Sequence, residues 1–361
     1  MIFNSLTFLV FLITVVTAYW LLPNRLRLYL VFISSLTFYG FWRIEFIPVM
    51  LFSVVIDYFV SLKILETDEE KVRKRLLYIS LAGNLGLLFY FKYLIFFSNT
   101  AIGFGNLLGM TLDPIALKII LPLGISFYTF QTISYTVDVY RRKILPEKNF
   151  ILYASYVTFF PQLIAGPILR AGEVIHQLSS RSEFQWANIS IGLRRIFYGL
   201  FLKVILADNL APFVDTGFAM SISDMSALDV WTLSFLFGFQ IYFDFSAYSH
   251  IALGSAKLMG INFPENFNFP YLATSPRDFW KKWHISLSSW IRDYLYLPLA
   301  GVKLGENSSS GGGLEVAITQ EKKDKALFSS WAINHLSELP PPVAKNKQTD
   351  YFRSELRGGI A

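Results

Sequence analysis

Cysteine is absent from the 361 residues. Disulfides and thiolate metal sites are therefore excluded. Histidine is almost as scarce: His176, His250, His284 and His335 are the whole supply, too few and too scattered for a histidine-rich metal centre. No tightly held cofactor or metal is indicated. Charge is thin as well, with Asp, Glu, Lys and Arg at 16% where a soluble domain has about 25%. The N-terminus, M-I-F-N-S-L-T-F-L-V-F-L, has neither a basic leader nor a small-residue cleavage signal, so residues 3–22 are expected to stay as a spanning helix and not to be removed as a signal peptide.

What fills the chain is apolar. Hydrophobic residues reach 53% and aromatics 17%, with 35 Phe and 19 Tyr, and the mean hydropathy is +0.44. A water-soluble fold of this length cannot hide so much apolar surface. The class expected is an all-α, polytopic integral membrane protein. In that class a net charge of +6 reports basic cytoplasmic loops, not nucleic-acid binding.

Runs long enough to span lie at 3–22, 26–42, 46–65, 76–97, 116–137, 190–210 and 228–250. Between them, basic residues alternate with their absence. Arg25 and Arg27 occupy one loop, Arg43 alone the next, and Lys71, Arg73, Lys74 and Arg75 the third. The segment 98–115 has no Lys or Arg, and Arg141-Arg142-Lys143 follows. The positive-inside rule then sets the N-terminus outside. Two apolar stretches, L-P-L-G-I-S-F-Y-T-F-Q (121–131) and F-F-P-Q-L-I-A-G-P-I-L-R (159–170), carry Pro and Gly that interrupt helical hydrogen bonding. Each reads either as a Pro-kinked span or as a re-entrant segment buried in protein. After Val302 the composition changes abruptly to a polar linker and a charged stretch, so 302–361 is expected to be a soluble, largely disordered tail with one short amphipathic helix around 322–338.

Ionisable groups in apolar company are functional candidates. Asp244 lies in F-Q-I-Y-F-D-F-S-A-Y-S-H, where it can pair with a buried base, orient a histidine or face a wet cavity. His250 falls near the expected helix end, an interfacial position. Asp138 and Arg141 are spaced to brace each other one turn apart. Lys203 is expected to snorkel. The richest stretch is R-D-F-W-K-K-W-H-I-S-L-S-S-W (277–290). On a helix, Trp283, Leu287, Trp290 and Tyr294 form one apolar stripe, with Lys281, Lys282 and Arg292 elsewhere, which suits a basic amphipathic helix at a membrane interface. His284 shares the apolar side with Trp280 and Leu287, and Ser288 is one turn on. A histidine there is pushed towards its neutral form, and a neutral imidazole can accept a proton from a hydroxyl. It can equally do no more than tie the helix to a neighbour. A Ser286–His284 nucleophile pair is the weaker option, because the two point to different helical faces.

These motifs, taken in order, resemble one family. L-P-L-G-I-S-F-Y-T-F-Q-T-I-S-Y-T-V-D-V-Y-R, F-F-P-Q-L-I-A-G-P-I-L-R, Y-F-D-F-S-A-Y-S, N-F-N-F-P-Y and R-D-F-W-K-K-W-H-I-S-L-S-S-W-I-R-D-Y-L-Y-L-P-L are similar to the membrane-bound O-acyltransferase family, in the bacterial branch that includes alginate O-acetylation and teichoic acid D-alanylation. The resemblance covers residues 1–301 as an N-terminal part of the family domain. It implies a funnel of helices around a thin centre, with re-entrant and interfacial helices, in the bacterial inner membrane. It also implies acyl transfer from a thioester donor (acyl-CoA or an acyl carrier) to a hydroxyl of an exported polysaccharide or other envelope acceptor, together with a periplasmic acyltransferase partner. Within it, His284 matches a histidine of the active region, and Trp280, Trp283, Asp244 and Ser288 are the expected supporting or substrate-lining residues. A second family histidine, in a later G-L-W-H-G-like span, has no counterpart here. His335, in A-I-N-H-L-S-E, does not take that role, and His250 stands where the branch commonly has Asp. The chain therefore reads as an enzyme core joined to a non-homologous tail, such as a frameshift, a premature stop, a gene-model error or a fusion produces, and it is expected to be inactive or impaired as written. The alternatives are a non-catalytic membrane scaffold that binds envelope-modification partners, and a transporter, which predicts inverted repeats that the sequence does not display.

Overall fold

In the computed structural model the residues described are 3–110, 119–180 and 183–301. The polar tail 302–361, its expected helix at 322–338 and His335 all lie outside them. Among the described residues all regular structure is helical. In chain order the helices are α1 (Leu6–Leu21), α2 (Asn24–Gly40), α3 (Ile47–Glu66), α4 (Glu70–Leu88), α5 (Leu94–Leu107), α6 (Ile125–Tyr140), α7 (Phe150–Thr158), α8 (Ala171–Ser179), α9 (Trp186–Leu200), α10 (Asp208–Ala219), α11 (Ala227–Leu258), α12 (Pro276–Trp280), α13 (Ile285–Ile291) and α14 (Leu297–Leu299). Single π turns join α4 to α5 (Phe89–Tyr93), α9 to α10 (Phe201–Ala207) and α13 to α14 (Arg292–Tyr296).

Helix limits follow local chemistry. The Ser5 hydroxyl accepts from Phe8 N at the start of α1. Pro23 separates α1 from α2, and a proline sits in the first turn of α3. Ser226 and Asp229 form a reciprocal capping box that opens α11, whose 32 residues make it about 48 Å long.

Among the described residues two helices are long and apolar enough to cross a membrane: Ile44–Glu66, and the continuous Glu70–Leu107. The expected span 76–97 is thus part of a longer helix, and much of the segment 98–115 taken as a loop is helical to Leu107. The run 116–137 is also displaced. Residues 119–122 are not helical, and the helix starts at Ile125, because Gly124 adopts φ +69° just before it. Within 121–131 the chain is non-helical to Gly124 and helical from Ile125 onward.

Three helices share a polar seam. Asp57 on α3 is fully buried and accepts from Ser80 Oγ and from Asn84 Nδ2, both on α4. Thr132 on α6 donates to Asn84 Oδ1 at 3.2 Å. Elsewhere, α9 and α11 approach closely through glycines. A Cβ on Gly199 would lie 2.7 Å from the Ala247 carbonyl oxygen, and one on Gly254 would lie 2.7 Å from that of Gly192.

The stretch 159–170 is not helical yet is buried, with Phe159 and Phe160 fully enclosed. Several of its polar groups are met by protein, although Gln162 Oε1 is buried without a partner among the described residues. Phe160 N donates to Ser35 Oγ at 3.1 Å, and Gln162 Nε2 donates to the carbonyls of Tyr156 and Val157 and to Gln131 Oε1. Tyr156 donates its hydroxyl to the Leu169 carbonyl at 2.9 Å. Irregular backbone persists in an apolar interior only when its hydrogen bonds are supplied in this way.

Candidate active site

The stripe of Trp283, Leu287, Trp290 and Tyr294 presumes one continuous helix, and the helix is broken. It ends at Trp280 and restarts at Ile285, with His284 between them at φ 41°, ψ 55°. A left-handed backbone at a non-glycine residue costs about 1–2 kcal/mol, and such strain concentrates at functional positions. The break sends the aromatics in different directions. Trp290 stacks on Phe130 at 4.4 Å and donates from Nε1 to that residue's carbonyl at 2.8 Å. Trp283 turns the other way, against Phe267 at 5.2 Å and Phe279 at 5.6 Å.

His284 sits between these groups and is 8% exposed. Phe245 of α11 meets its ring edge-on at 4.7 Å, while Phe127 of α6 and Phe267 stack at 6.3 and 6.4 Å. Nε2 is buried with no hydrogen-bond partner among the described residues. Burial pulls the imidazole down to about 4 from its usual 6.5. At neutral pH it is therefore uncharged. Other buried polar atoms also lack a partner among the described residues, Tyr128 and Gln162 for example; His284 differs in that its open atom is a neutral, proton-accepting group in a left-handed turn.

The turn that holds His284 is fixed from the 261–269 segment. Ile285 N donates to the Asn266 carbonyl at 2.9 Å, and Asn268 N donates to the Lys282 carbonyl at 2.9 Å. Ser286 points away from His284, donating to Asn266 Oδ1 at 2.9 Å and accepting from Ile168 N at 3.0 Å. It is occupied structurally and is no nucleophile partner.

The remaining expected residues divide. Ser288 is brought close, donating to the Trp283 carbonyl at 3.2 Å. Trp280 lies at the exposed edge, against Phe279. Asp244 is not joined to His284. It accepts from Lys203 Nζ at 2.6 Å, and the same ammonium reaches Asp208 at 2.8 Å. Lys203 therefore does not snorkel: its side chain is mostly buried and bridges two carboxylates over the Tyr248 ring. His250 is not at a helix end, since α11 continues to Leu258; its Nδ1 lies 3.3 Å from Arg195, and its ring meets Tyr198 edge-on. Asp138 accepts from the Tyr294 hydroxyl at 2.6 Å and reaches Lys143 at 3.9 Å, while Arg141 turns to the Asp293 carbonyl. Arg170 closes this second cluster on Asp293 at 2.6 Å. Sequence reasoning missed Asn266, Ser249 and Arg170. The first lies in the quoted N-F-N-F-P-Y motif, and the last ends A-G-P-I-L-R, so the motifs held the signal without the roles.

Comparison with known proteins adds independent findings. Residues 145–312 match the model of MBOAT, the membrane-bound O-acyltransferase family. The chain is 38% identical over 318 residues to a peptidoglycan O-acetyltransferase of Helicobacter pylori, covering 81% of this chain and 59% of that protein. It is 38% identical over 304 residues to a protein named probable alginate O-acetylase in Azotobacter vinelandii, covering 83% and 60%. A teichoic acid D-alanyltransferase of Bacillus subtilis is 32% identical over 183 residues, covering 48% and 45%. The chain thus spans about three-fifths of the length of the first two relatives.

Proposed function

Since the chain is a relative of the membrane-bound O-acyltransferases, we propose that it is a membrane O-acyltransferase core that moves an acyl group, acetyl in the first instance, from a thioester to a hydroxyl of an exported polysaccharide. The single observation that carries this reading is His284: a buried, neutral imidazole, strained into a left-handed turn, with Nε2 unengaged inside a box of three phenylalanines. In this scheme Nε2 takes the proton of the acceptor hydroxyl as its oxygen attacks the thioester carbonyl. The tetrahedral intermediate collapses to the ester, and the thiolate leaves with a proton. Water is kept from the imidazole by Phe127, Phe245 and Phe267, so the proton goes to the base and not to solvent.

The finer architecture belongs to the same proposal. The basic stretches around Arg25, Lys74 and Arg142 face the cytoplasm of a bacterial inner membrane, with the N-terminus outside. The buried turn 159–170 is the re-entrant element of a funnel, and α12 and α13 lie at an interface. The donor, acyl-CoA or an acyl carrier, comes from the basic side, and the glycan comes from the other. A periplasmic acyltransferase would then receive or pass on the acyl group. The acceptor class is suggested by the relatives, whose names specify peptidoglycan and alginate.

The test is ester content of envelope glycan in a bacterial host lacking its own transferase, with the chain and with its His284→Ala variant. Ester that depends on the chain and is lost in the variant supports the proposal. Equal ester from both removes His284 from the chemistry. No ester from either fits both the scaffold alternative and the expected impairment of a chain without the second family histidine.

A further inference from the structure

A helix usually opens on Ser, Thr, Asp or Asn, whose side chain accepts from the first free backbone N–H groups. Helix α13 opens on His284, which makes no such bond. The free N–H groups of Ile285 and Ser286 are met instead from a residue far back in the chain. Ile285 N donates to the main-chain carbonyl of Asn266 at 2.9 Å, and Ser286 N donates to its side-chain Oδ1 at 3.3 Å. The Ser286 hydroxyl donates to the same Oδ1 at 2.9 Å. Asn266 is itself immobilised: it is 1% exposed, and its Nδ2 donates to Ser249 Oγ of α11, which in turn donates to the Ala165 carbonyl in the buried 159–170 turn.

We propose that Asn266 is the positioning residue of His284, capping α13 in place of the histidine side chain and so holding the strained turn that leaves Nε2 unengaged. The proposal rests on the function read for His284 only for its purpose, since the geometry stands without it. The division of labour has a physical reason. An imidazole that capped its own helix would spend a nitrogen on the backbone and lie along the helix end. Delegating the cap frees the ring to enter the phenylalanine box, and it joins three parts of the fold (α11, the 159–170 turn and α13) through one amide. Oδ1 serves as acceptor twice and Nδ2 as donor once, so neither Leu nor Ala can substitute. Aspartate keeps the acceptor, loses the bond donated to Ser249 and adds a buried carboxyl.

The experiment reads His284 directly. Purified chain in detergent is treated with diethyl pyrocarbonate at pH 7, and carbethoxylation of each histidine is followed by peptide mass spectrometry, with His250 and His176 as internal references. Asn266→Ala should raise the rate at His284 roughly tenfold, the scale of one or two lost hydrogen bonds, with the reference rates unchanged. Asn266→Asp should restore most of the protection. Should Asn266→Ala fail to fold, Ser286→Ala, which removes one of the three bonds to Asn266, serves in its place and should give a smaller rise. An unchanged rate at His284 in a folded Ala variant overturns the proposal, as does an Asp variant indistinguishable from Ala. Ester formation in the same variants separates the two ideas: in a competent system Asn266→Ala should lower kcat while leaving KM near its original value. If His284→Ala leaves ester formation intact, the functional reading fails, and the carbethoxylation result still decides the role of Asn266.

Discussion

Asn84 donates from Nδ2 to Oδ2 of Asp57 across 2.7 Å, and both side chains are fully buried between helices. No Lys or Arg forms an ion pair with this carboxyl among the described residues; hydroxyl and amide groups alone satisfy it. Asp57→Ala leaves the Ser80 hydroxyl and one N–H of the Asn84 amide without an acceptor inside a packed seam, the other Asn84 N–H staying on the Ser80 carbonyl. The expected cost is roughly 2–4 kcal/mol, whereas Asp57→Asn, which keeps the shape and one acceptor, should cost distinctly less. Unfolding in a detergent titration would measure both, and equal stability of the Ala variant and the original chain would show that the seam contributes nothing.

Glycine at 124 is required twice over. Its φ is +69°, and a Cβ there would come 2.1 Å from the Leu163 carbonyl oxygen, a backbone atom that cannot rotate away. Gly124→Ala should therefore abolish folded protein, or separate α6 from the 159–166 turn. Gly86→Ala and Gly103→Ala are the controls. Nothing lies within 4 Å of a Cβ at either site, and each replaces a helical glycine, so stability should hold or rise by about 0.5–1 kcal/mol. Size-exclusion yield and melting temperature distinguish the outcomes.

Acidification should act through His284. Its folded value lies near 4 and its ordinary value is 6.5, so as pH falls the unfolded chain takes up the proton first. The native state is then favoured fully above pH 6.5 and loses that contribution as pH drops through 4, by about 3 kcal/mol in total. Replacing the group with Gln removes this sensitivity. The melting temperature of the chain minus that of His284→Gln should decrease between pH 7 and pH 5; a constant difference contradicts the burial argument.

Lys203 holds Asp208 and Asp244 at once, so the three positions are coupled unequally. Lys203→Met leaves two carboxylates facing each other without their cation and should destabilise more than Asp244→Asn, which leaves Lys203 with Asp208. A double-mutant cycle over Lys203 and Asp244 should give a coupling on the order of 1 kcal/mol, small because Asp244 is partly exposed. Additive effects would mean that the bridge is not energetically formed.

The helical class could be read from residues alone, but of the seven expected spans only 46–65 and 76–97 fall in helices long and apolar enough to cross a membrane among the described residues. Pro23, Pro48 and Pro276 stand at helix starts, where a fixed φ and a missing N–H suit the first turn. The stripe through Trp283, Leu287 and Trp290 fails, because helical spacing assumes an unbroken helix and nothing local to W-K-K-W-H-I-S announces a left-handed histidine. Lys203 looked like a snorkelling residue because its partner Asp244 is 41 positions away. Arg170, Asp293, Tyr294 and Asp138 likewise meet only across long separations.

By itself the sequence determined the class and the chemistry on offer: an apolar, cysteine-free helical membrane chain, its family motifs, and a histidine among aromatics where a base could work. The backbone turn and the surroundings of that histidine came only with the tertiary structure. Composition and periodicity are local sums, and they act on each helix separately. The left-handed turn at His284 is held by an amide 18 positions earlier in the chain, itself anchored on α11, and such a bond exists only once the elements have packed.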